Sequence, residues 1–196
     1  MQADWEVEIG GDAPVIDACW PGLVDLQRFP SRVAELDEVQ TLPALAGALL
    51  QLNAAASPVW TSKCDVWPVN GLDPFELDAS AEAATHGTAC YIDLLPRSDH
   101  RWTFHQMAVE SCKALCTRLH AAPLCCCRVD LVVRRAVIAQ EVNNHGITAY
   151  LTACGASEPN ALAQLQDALA AFVGSLVPMA APVQADFIDR MKVTGE

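Results

Sequence analysis

Basic residues are scarce in this sequence of 196 residues. Lysine and arginine together number 12 against 24 aspartates and glutamates, which gives a formal net charge of -12. A chain with this balance repels phosphate backbones and anionic membrane surfaces unless its cations are clustered. Only Arg128, Arg134 and Arg135 come close to clustering, and Asp130 lies among them. We therefore expect neither a nucleic acid nor a membrane as a partner.

Long uninterrupted apolar runs are also missing. The two most apolar stretches, residues 42–60 and 161–183, are interrupted by polar side chains such as Asn53 and Asp167, so neither is typical of a membrane span. The first ten residues, MQADWEVEIG, contain acids and lack the apolar core of a signal peptide. We expect the chain to remain in the cytoplasm, where cysteines stay reduced.

The motifs of several large enzyme classes are absent from the sequence. It contains no GxSxG elbow, phosphate-binding P-loop, dinucleotide glycine fingerprint, HExxH pair or EF-hand loop. The CxxC pairs typical of zinc and iron–sulfur sites are missing as well. These absences favour a non-catalytic protein without a cofactor.

The patterns of apolar residues predict alternating strands and helices. Extended patterns occupy residues 5–9, 15–20, 59–67, 89–96, 124–135 and 146–154, with a final strand at 183–188. The first two are predicted to form a β-hairpin around GGDAP, and NNHG is predicted to be the turn before the strand at 146–154. Helical patterns occupy residues 29–53, with a break at Pro43, then 101–120, and a segment that starts at Ser157.

This element order predicts an α+β fold, with a largely antiparallel sheet and helices packed on one face. The second half has the element order of a ferredoxin-like unit. A hydrophobic content of 52% is enough for one buried core, so residues 1–196 are predicted to form a single domain. The acidic loop at residues 68–87 is the one candidate for a subdomain junction.

Four of the predicted strands carry an aspartate between apolar neighbours: Asp17, Asp65, Asp93 and Asp130. Because side chains alternate across a strand, the aspartates should face away from those neighbours. The neighbours that we expect on the helix-covered face are Ile16, Ala18, Cys64, Val66, Ile92, Leu94, Val129 and Leu131. The residues that we expect on the other face, as a binding surface, are Lys63, Asp65, Trp67, Tyr91, Asp93, Arg128, Asp130 and Tyr150.

Three interpretations of this second face remain open. Its charged residues form ordinary cross-strand pairs on a solvated surface, or the face binds another protein or a second copy of the chain. In the third, its aspartates hold a divalent cation such as Mg²⁺ or act as acid and base in an enzyme. Because tyrosine, tryptophan and arginine are enriched at interface hot spots, the leading hypothesis is a non-catalytic binding or accessory module, alone or as a homodimer.

The nine cysteines raise a separate alternative. Alternation places Cys125 and Cys127 on the core face, and Cys112 and Cys116 share one stripe of a helix. Unpaired cysteine usually packs as a small apolar residue. The alternative is a thiol-ligated metal or redox protein, in which these four cysteines hold zinc or an iron–sulfur cluster. On the opposite face Cys126 lies beside Arg128, whose charge would lower the thiol pKa, but Asp130 on the same face would oppose that shift.

Overall fold

The computed structural model describes residues 1–97, 102, 104–139 and 141–176. The strands are β1 (Gln2–Glu8), β2 (Val15–Asp17), β3 (Val59–Val69), β4 (His86–Pro96), β5 (Cys127–Ile138) and β6 (Glu141–Gly155). The helices are α1 (Asp37–Thr41), α2 (Ala44–Asn53), α3 (His105–His120) and α4 (Glu158–Leu176), with 3-10 turns at Pro30–Glu35 and Phe75–Leu77. The strand predicted at 183–188 lies outside the described residues.

The strands form one sheet in the order β1-β5-β6-β4-β3, with β2 also paired to β5. The β5–β6, β6–β4 and β4–β3 pairs are antiparallel, whereas β1 and β2 run parallel to β5. Since β6 lies between the mutually parallel strands β4 and β5, the second half has the split βαβ arrangement of a ferredoxin-like unit. The prediction of an α+β fold with a largely antiparallel sheet is confirmed.

The predicted hairpin between β1 and β2 is wrong. Trp5 lies opposite Leu131 and Ile16 opposite Ala136, so both strands follow the same edge of β5 in the same direction. Arg135 Nη2 donates hydrogen bonds to the carbonyls of Gly10 and Gly11, at 2.9 and 3.1 Å, and so fixes the linker between the strands. Alternation identified these segments as strands but carries no information about their partner.

The turn predicted at NNHG is also wrong, because residues 143–146 lie inside β6. β5 ends at Ile138, and the chain turns at Ala139, which has a φ of 52°. Gly146 is needed for packing: a Cβ atom there would lie 2.8 Å from Ile16 Cδ1 and 2.8 Å from the Leu94 carbonyl oxygen. Glycine in a strand interior often marks such a close approach.

The main core lies between one face of the sheet and helices α2, α3 and α4. The large side chains Phe172, Leu115 and Leu131 are fully buried in it. Burial of one such side chain contributes about 1.5–3 kcal/mol to stability. Within the described residues, no helix combines the length and apolar character needed to cross a bilayer.

Six of the eight residues predicted on the helix-covered face belong to this core or pack against it: Cys64, Val66, Ile92, Leu94, Val129 and Leu131. Ile16 and Ala18 do not, which corrects the prediction. They form a small second cluster with Leu95 and Ala136 on the opposite face. The reason is the pairing of β2, which places Ile16 beside Ala136, six positions after Asp130 and hence on the same side of β5.

Candidate functional site

We define the open face as the side of the sheet opposite helices α2, α3 and α4. Strand register and alternation give its members on the five long strands: Asp4, Glu6, Glu8, Asp65, Trp67, Tyr91, Asp93, Arg128, Asp130, Val132, Arg134, Thr148, Tyr150 and Thr152. The structure therefore places seven of the eight predicted binding residues on one surface. The eighth, Lys63, lies at the irregularity in β3 between Thr61 and Cys64, with its Nζ 5.1 Å from the centroid of the Trp20 ring.

Three aromatic side chains form a stack across the open face. The ring centroids of Trp67 and Tyr91 are 6.1 Å apart, and those of Tyr91 and Tyr150 are 5.9 Å apart, with tilted planes in both pairs. Cross-strand aromatic pairs of this kind contribute about 0.5–1.5 kcal/mol beyond the area that they bury. All three side chains remain partly accessible to solvent, so the open face presents a fixed aromatic surface.

Carboxylates stand at both ends of the tyrosine pair. Residues directly opposite one another across β3, β4, β6, β5 and β1 form what we call the central row: Asp65, Tyr91, Tyr150, Asp130 and Asp4. Neighbouring strands are about 4.8 Å apart, so the row is about 19 Å long. It combines aromatic rings in the middle with acidic groups at the rim.

Arg128 is bound to the carboxylates at one end of the central row. Its Nε lies 2.8 and 2.9 Å from the two Asp130 carboxylate oxygens, its Nη2 lies 2.7 Å from Asp130 Oδ1, and Asp4 is 4.0 Å away. The hydrogen bonds that Arg128 donates to Asp130 are the main cause that raises the pKa of Arg128. Because these groups are partly exposed, the pair contributes at most about 1 kcal/mol to stability, and its main effect is to fix the orientation of Arg128.

Arg134 connects three strands of the open face. Its guanidinium donates to Glu8 Oε2 at 2.8 and 3.0 Å, to Thr148 Oγ1 at 3.3 Å and to the Tyr150 hydroxyl at 3.2 Å. It also lies 5.6 Å from the centroid of the Tyr150 ring, in cation–π range. Glu8, Arg134 and Thr148 were not among the predicted binding residues. Alternation along β5 places Arg134 on the same face as Asp130. Glu8 could not be assigned to this face, because β1 was predicted to pair with β2 and not with β5.

Asp93 is the most deeply buried carboxylate of the open face, with 7% of its surface exposed. Its Oδ1 accepts a hydrogen bond of 2.6 Å from the Thr148 hydroxyl. Burial raises the pKa of Asp93, whereas the Thr148 bond and the charges of Arg134 and Lys63 lower it, and the net shift is upward. In the described part of the chain, no ion pair reaches Asp93.

The aspartates do not gather into a cation site. Tyr91 and Tyr150 separate Asp65 from Asp130 in the central row. Asp17 is on the separate edge strand β2, where its Oδ1 accepts a hydrogen bond from the Cys19 amide. Among the described residues, no three His, Cys, Asp or Glu side chains are close enough to hold a metal ion. The geometry therefore gives no support to the divalent-metal enzyme.

The four cysteines proposed as metal ligands do not form a common set either. Cys112, Cys116 and Cys127 are buried, but Cys125 is exposed, so its predicted place in the core is wrong. Cys126 has a φ of 60°, which breaks the alternation, and β5 begins only at Cys127. Burial raises the pKa of Cys112 to about 12 and that of Cys127 to about 11, so both remain protonated at neutral pH. Among the described residues, these cysteines do not come together with other ligand side chains into a group that could hold a metal ion.

The structure shows no lowering of the Cys126 pKa by Arg128. Its pKa is raised to about 12, first by burial and then by a hydrogen bond and charge interaction with Cys125. The two Sγ atoms are 3.9 Å apart. Arg128, which was expected to lower this pKa, is instead bound to Asp130. A thiol that stays protonated is a weak nucleophile.

The chain matches no model of a known protein family, no curated protein and no solved structure. No relative therefore assigns a role to any of its residues. The feature that distinguishes the molecule is the open face, where fixed aromatic rings, two hydrogen-bonded arginines and a set of carboxylates share one side of the sheet. Its chemistry suits noncovalent recognition, because aromatic and charged groups are already held in place.

Proposed function

We propose that this chain is a non-catalytic binding or accessory module that binds another protein through the open face. The observation that carries the proposal is the partly exposed stack of Trp67, Tyr91 and Tyr150. Tryptophan, tyrosine and arginine are the residue types most enriched at interface hot spots. Rings held by their neighbours lose little conformational entropy when a partner binds, so more of the contact energy appears as affinity.

The acidic loop between β3 and β4 supplies a further apolar contact. Its 3-10 turn, Phe75–Leu77, contacts β5 and β6, and Leu77 is buried. Glu76 in the same turn acts electrostatically on Arg128, which places the turn beside the open face. Phe75 is 90% exposed. In the proposed complex Phe75 extends the aromatic surface at the rim of the open face.

The proposed module works in the cytoplasm and needs no cofactor. All nine cysteines are free, and most of them are buried or half-buried in a thiol form. Free thiols of this number are typical of a reducing compartment. The buried cysteines then act as small apolar packing residues, and the open face is the functional surface.

The test compares capture of partner proteins from an extract of the source cells by three immobilised forms of the chain. The parent is compared with the variant Tyr91→Ala/Arg128→Ala and with a control, Met107→Ala/Arg32→Ala, whose residues are exposed away from the open face. Circular dichroism establishes that all three forms fold. We expect at least one protein to be retained by the parent and the control, with an affinity about 10- to 100-fold lower for the open-face variant. Retention of the same proteins by all three forms would contradict the proposal.

A further inference from the structure

We infer that the partner presents a lysine- and arginine-rich segment to the open face. This inference rests on the proposed function, because it names the kind of partner that the same surface binds. Three arguments support it: the balance of charges on that surface, the arrangement of the central row, and the repulsion that a second copy of the same surface would meet.

Acidic groups exceed basic groups on the open face. Its six carboxylates are Asp4, Glu6, Glu8, Asp65, Asp93 and Asp130. Its cations are Arg128 and Arg134, and Lys63 lies next to the face. Both arginines are already bound to carboxylates of the face, namely Asp130 and Glu8. Across the described residues, no ion pair involves Asp65 or Glu6, and the side chain of Asp4 is 70% exposed. These acids are available to external cations.

The central row suits cationic side chains in its geometry as well as its charge. A lysine or arginine placed over Tyr91 would lie next to Asp65, so it would gain a cation–π contact and an ion pair together. Tyr150 shows that a tyrosine of this row accepts a guanidinium, because Arg134 already lies against its ring. The row is about 19 Å long, which an extended segment of about six residues would cover.

A second copy of the chain fits this surface poorly. A two-fold interface uses the same patch on both subunits, so two open faces would bring their surplus acids together. Like charges that face each other across an interface weaken association. Nucleic acids and anionic membranes are disfavoured for the same reason, and the net charge of -12 adds to the repulsion at long range. A basic protein segment is the occupant that matches the charge of the face.

The test uses hexa-arginine and hexa-lysine peptides as probes, with hexa-glutamate as the negative control. The variant Asp4→Asn/Asp65→Asn removes two exposed carboxylates from the central row. The matched control, Asp12→Asn/Asp37→Asn, changes the net charge equally but alters residues outside the open face. Isothermal titration calorimetry at fixed ionic strength then separates binding at the row from general attraction between a polycation and an acidic protein.

We expect both basic peptides to bind the parent, with about tenfold weaker binding to Asp4→Asn/Asp65→Asn and a change of less than twofold for the control. Equal weakening by the two variants, or no binding of either basic peptide, would overturn the inference. So would sedimentation equilibrium that shows a dimer of the parent which Tyr91→Ala/Arg128→Ala dissociates. The proposed function fails separately, when the capture experiment shows no dependence on Tyr91 and Arg128. Capture through the open face of a protein without a basic segment would contradict the inference alone.

Discussion

The two faces of the sheet come from the same strands but are stabilised in different ways. On the helix-covered face, residues such as Val129 and Leu131 are fully buried, and stability comes from the removal of apolar surface from water. On the open face, Arg128 and Arg134 hold their neighbours through directional hydrogen bonds between partly exposed groups. The helix-covered face therefore accounts for most of the stability, and the open face can carry binding residues whose replacement leaves the fold intact.

The largest effect is expected on the helix-covered face. Phe172→Ala should lower the free energy of unfolding by about 3–5 kcal/mol, because it leaves a cavity around a side chain with no exposed surface. Urea denaturation measures the change. Phe75→Ala is the matched control: since Phe75 is 90% exposed, its change should stay within about 0.5 kcal/mol. Similar losses for the two variants would contradict the division between core and surface.

The next largest loss in the free energy of unfolding is expected for Gly146→Ala. The added Cβ would lie 2.8 Å from Ile16 Cδ1 and from the Leu94 carbonyl oxygen, so the small apolar cluster at the end of the open face must shift. We expect a loss of about 1–3 kcal/mol in the free energy of unfolding. Gly47→Ala, where a Cβ meets no atom within 4 Å, should not destabilise the chain. A neutral Gly146→Ala would show that this glycine is not required for packing.

Arg134→Ala tests the hydrogen-bond network of the open face. It removes donors from Glu8, Thr148 and Tyr150, and we expect a loss of about 1–2 kcal/mol in the free energy of unfolding. Arg32→Ala, which breaks an exposed pair with Glu35, should cost less than about 0.5 kcal/mol. Thermal and urea unfolding measure both changes. If the two variants lose the same free energy of unfolding, Arg134 contributes no more than an ordinary surface charge.

The smallest change in the free energy of unfolding is expected for Asp93→Asn, and this change is a gain in stability. The folded state raises the pKa of Asp93 above the ordinary value of 3.8, chiefly through burial, so folded protein binds this proton more tightly than unfolded protein does. The contribution of Asp93 to stability is therefore fully present below pH 3.8 and declines as the pH rises through the folded pKa. Asp93→Asn cannot ionise and keeps an oxygen for Thr148.

The Asn variant should accordingly be more stable than the parent at neutral pH, with a difference that shrinks as the pH falls towards 3.8. Unfolding curves of both forms across this pH range measure it. Asp65→Asn is the charge-matched control, because it removes one exposed carboxylate from the same face. A parent that is more stable than Asp93→Asn at neutral pH would show that the ionised carboxylate is stabilised by its neighbours.

The residues of each face of the sheet were largely predictable from the sequence, whereas the partners of the strands were not. Alternation has a period of two residues and is set locally, so it placed Tyr91, Asp93, Asp130 and Tyr150 on one face. It failed at Cys125, because the left-handed conformation of Cys126 resets the alternation just before β5.

Strand pairing depends on contacts between residues that are distant in the chain. The sequence therefore did not reveal that β1 pairs with β5, and it did not add Asp4 or Glu8 to the open face. The GGDAP segment does form a turn, but this turn connects two strands along one edge of β5 and not a hairpin. The NNHG segment also resembles a turn, yet it lies inside a strand. In both places, tertiary packing around Arg135 and Gly146 determines the backbone path.

The central claim is that the open face binds a protein partner. The most direct measurement is the dissociation constant of a captured partner for the parent and for Tyr91→Ala/Arg128→Ala, determined under the same ionic conditions. We predict that the constant rises about 10- to 100-fold in the variant while its unfolding midpoint stays close to that of the parent. A constant that is unchanged in a folded variant would contradict the claim.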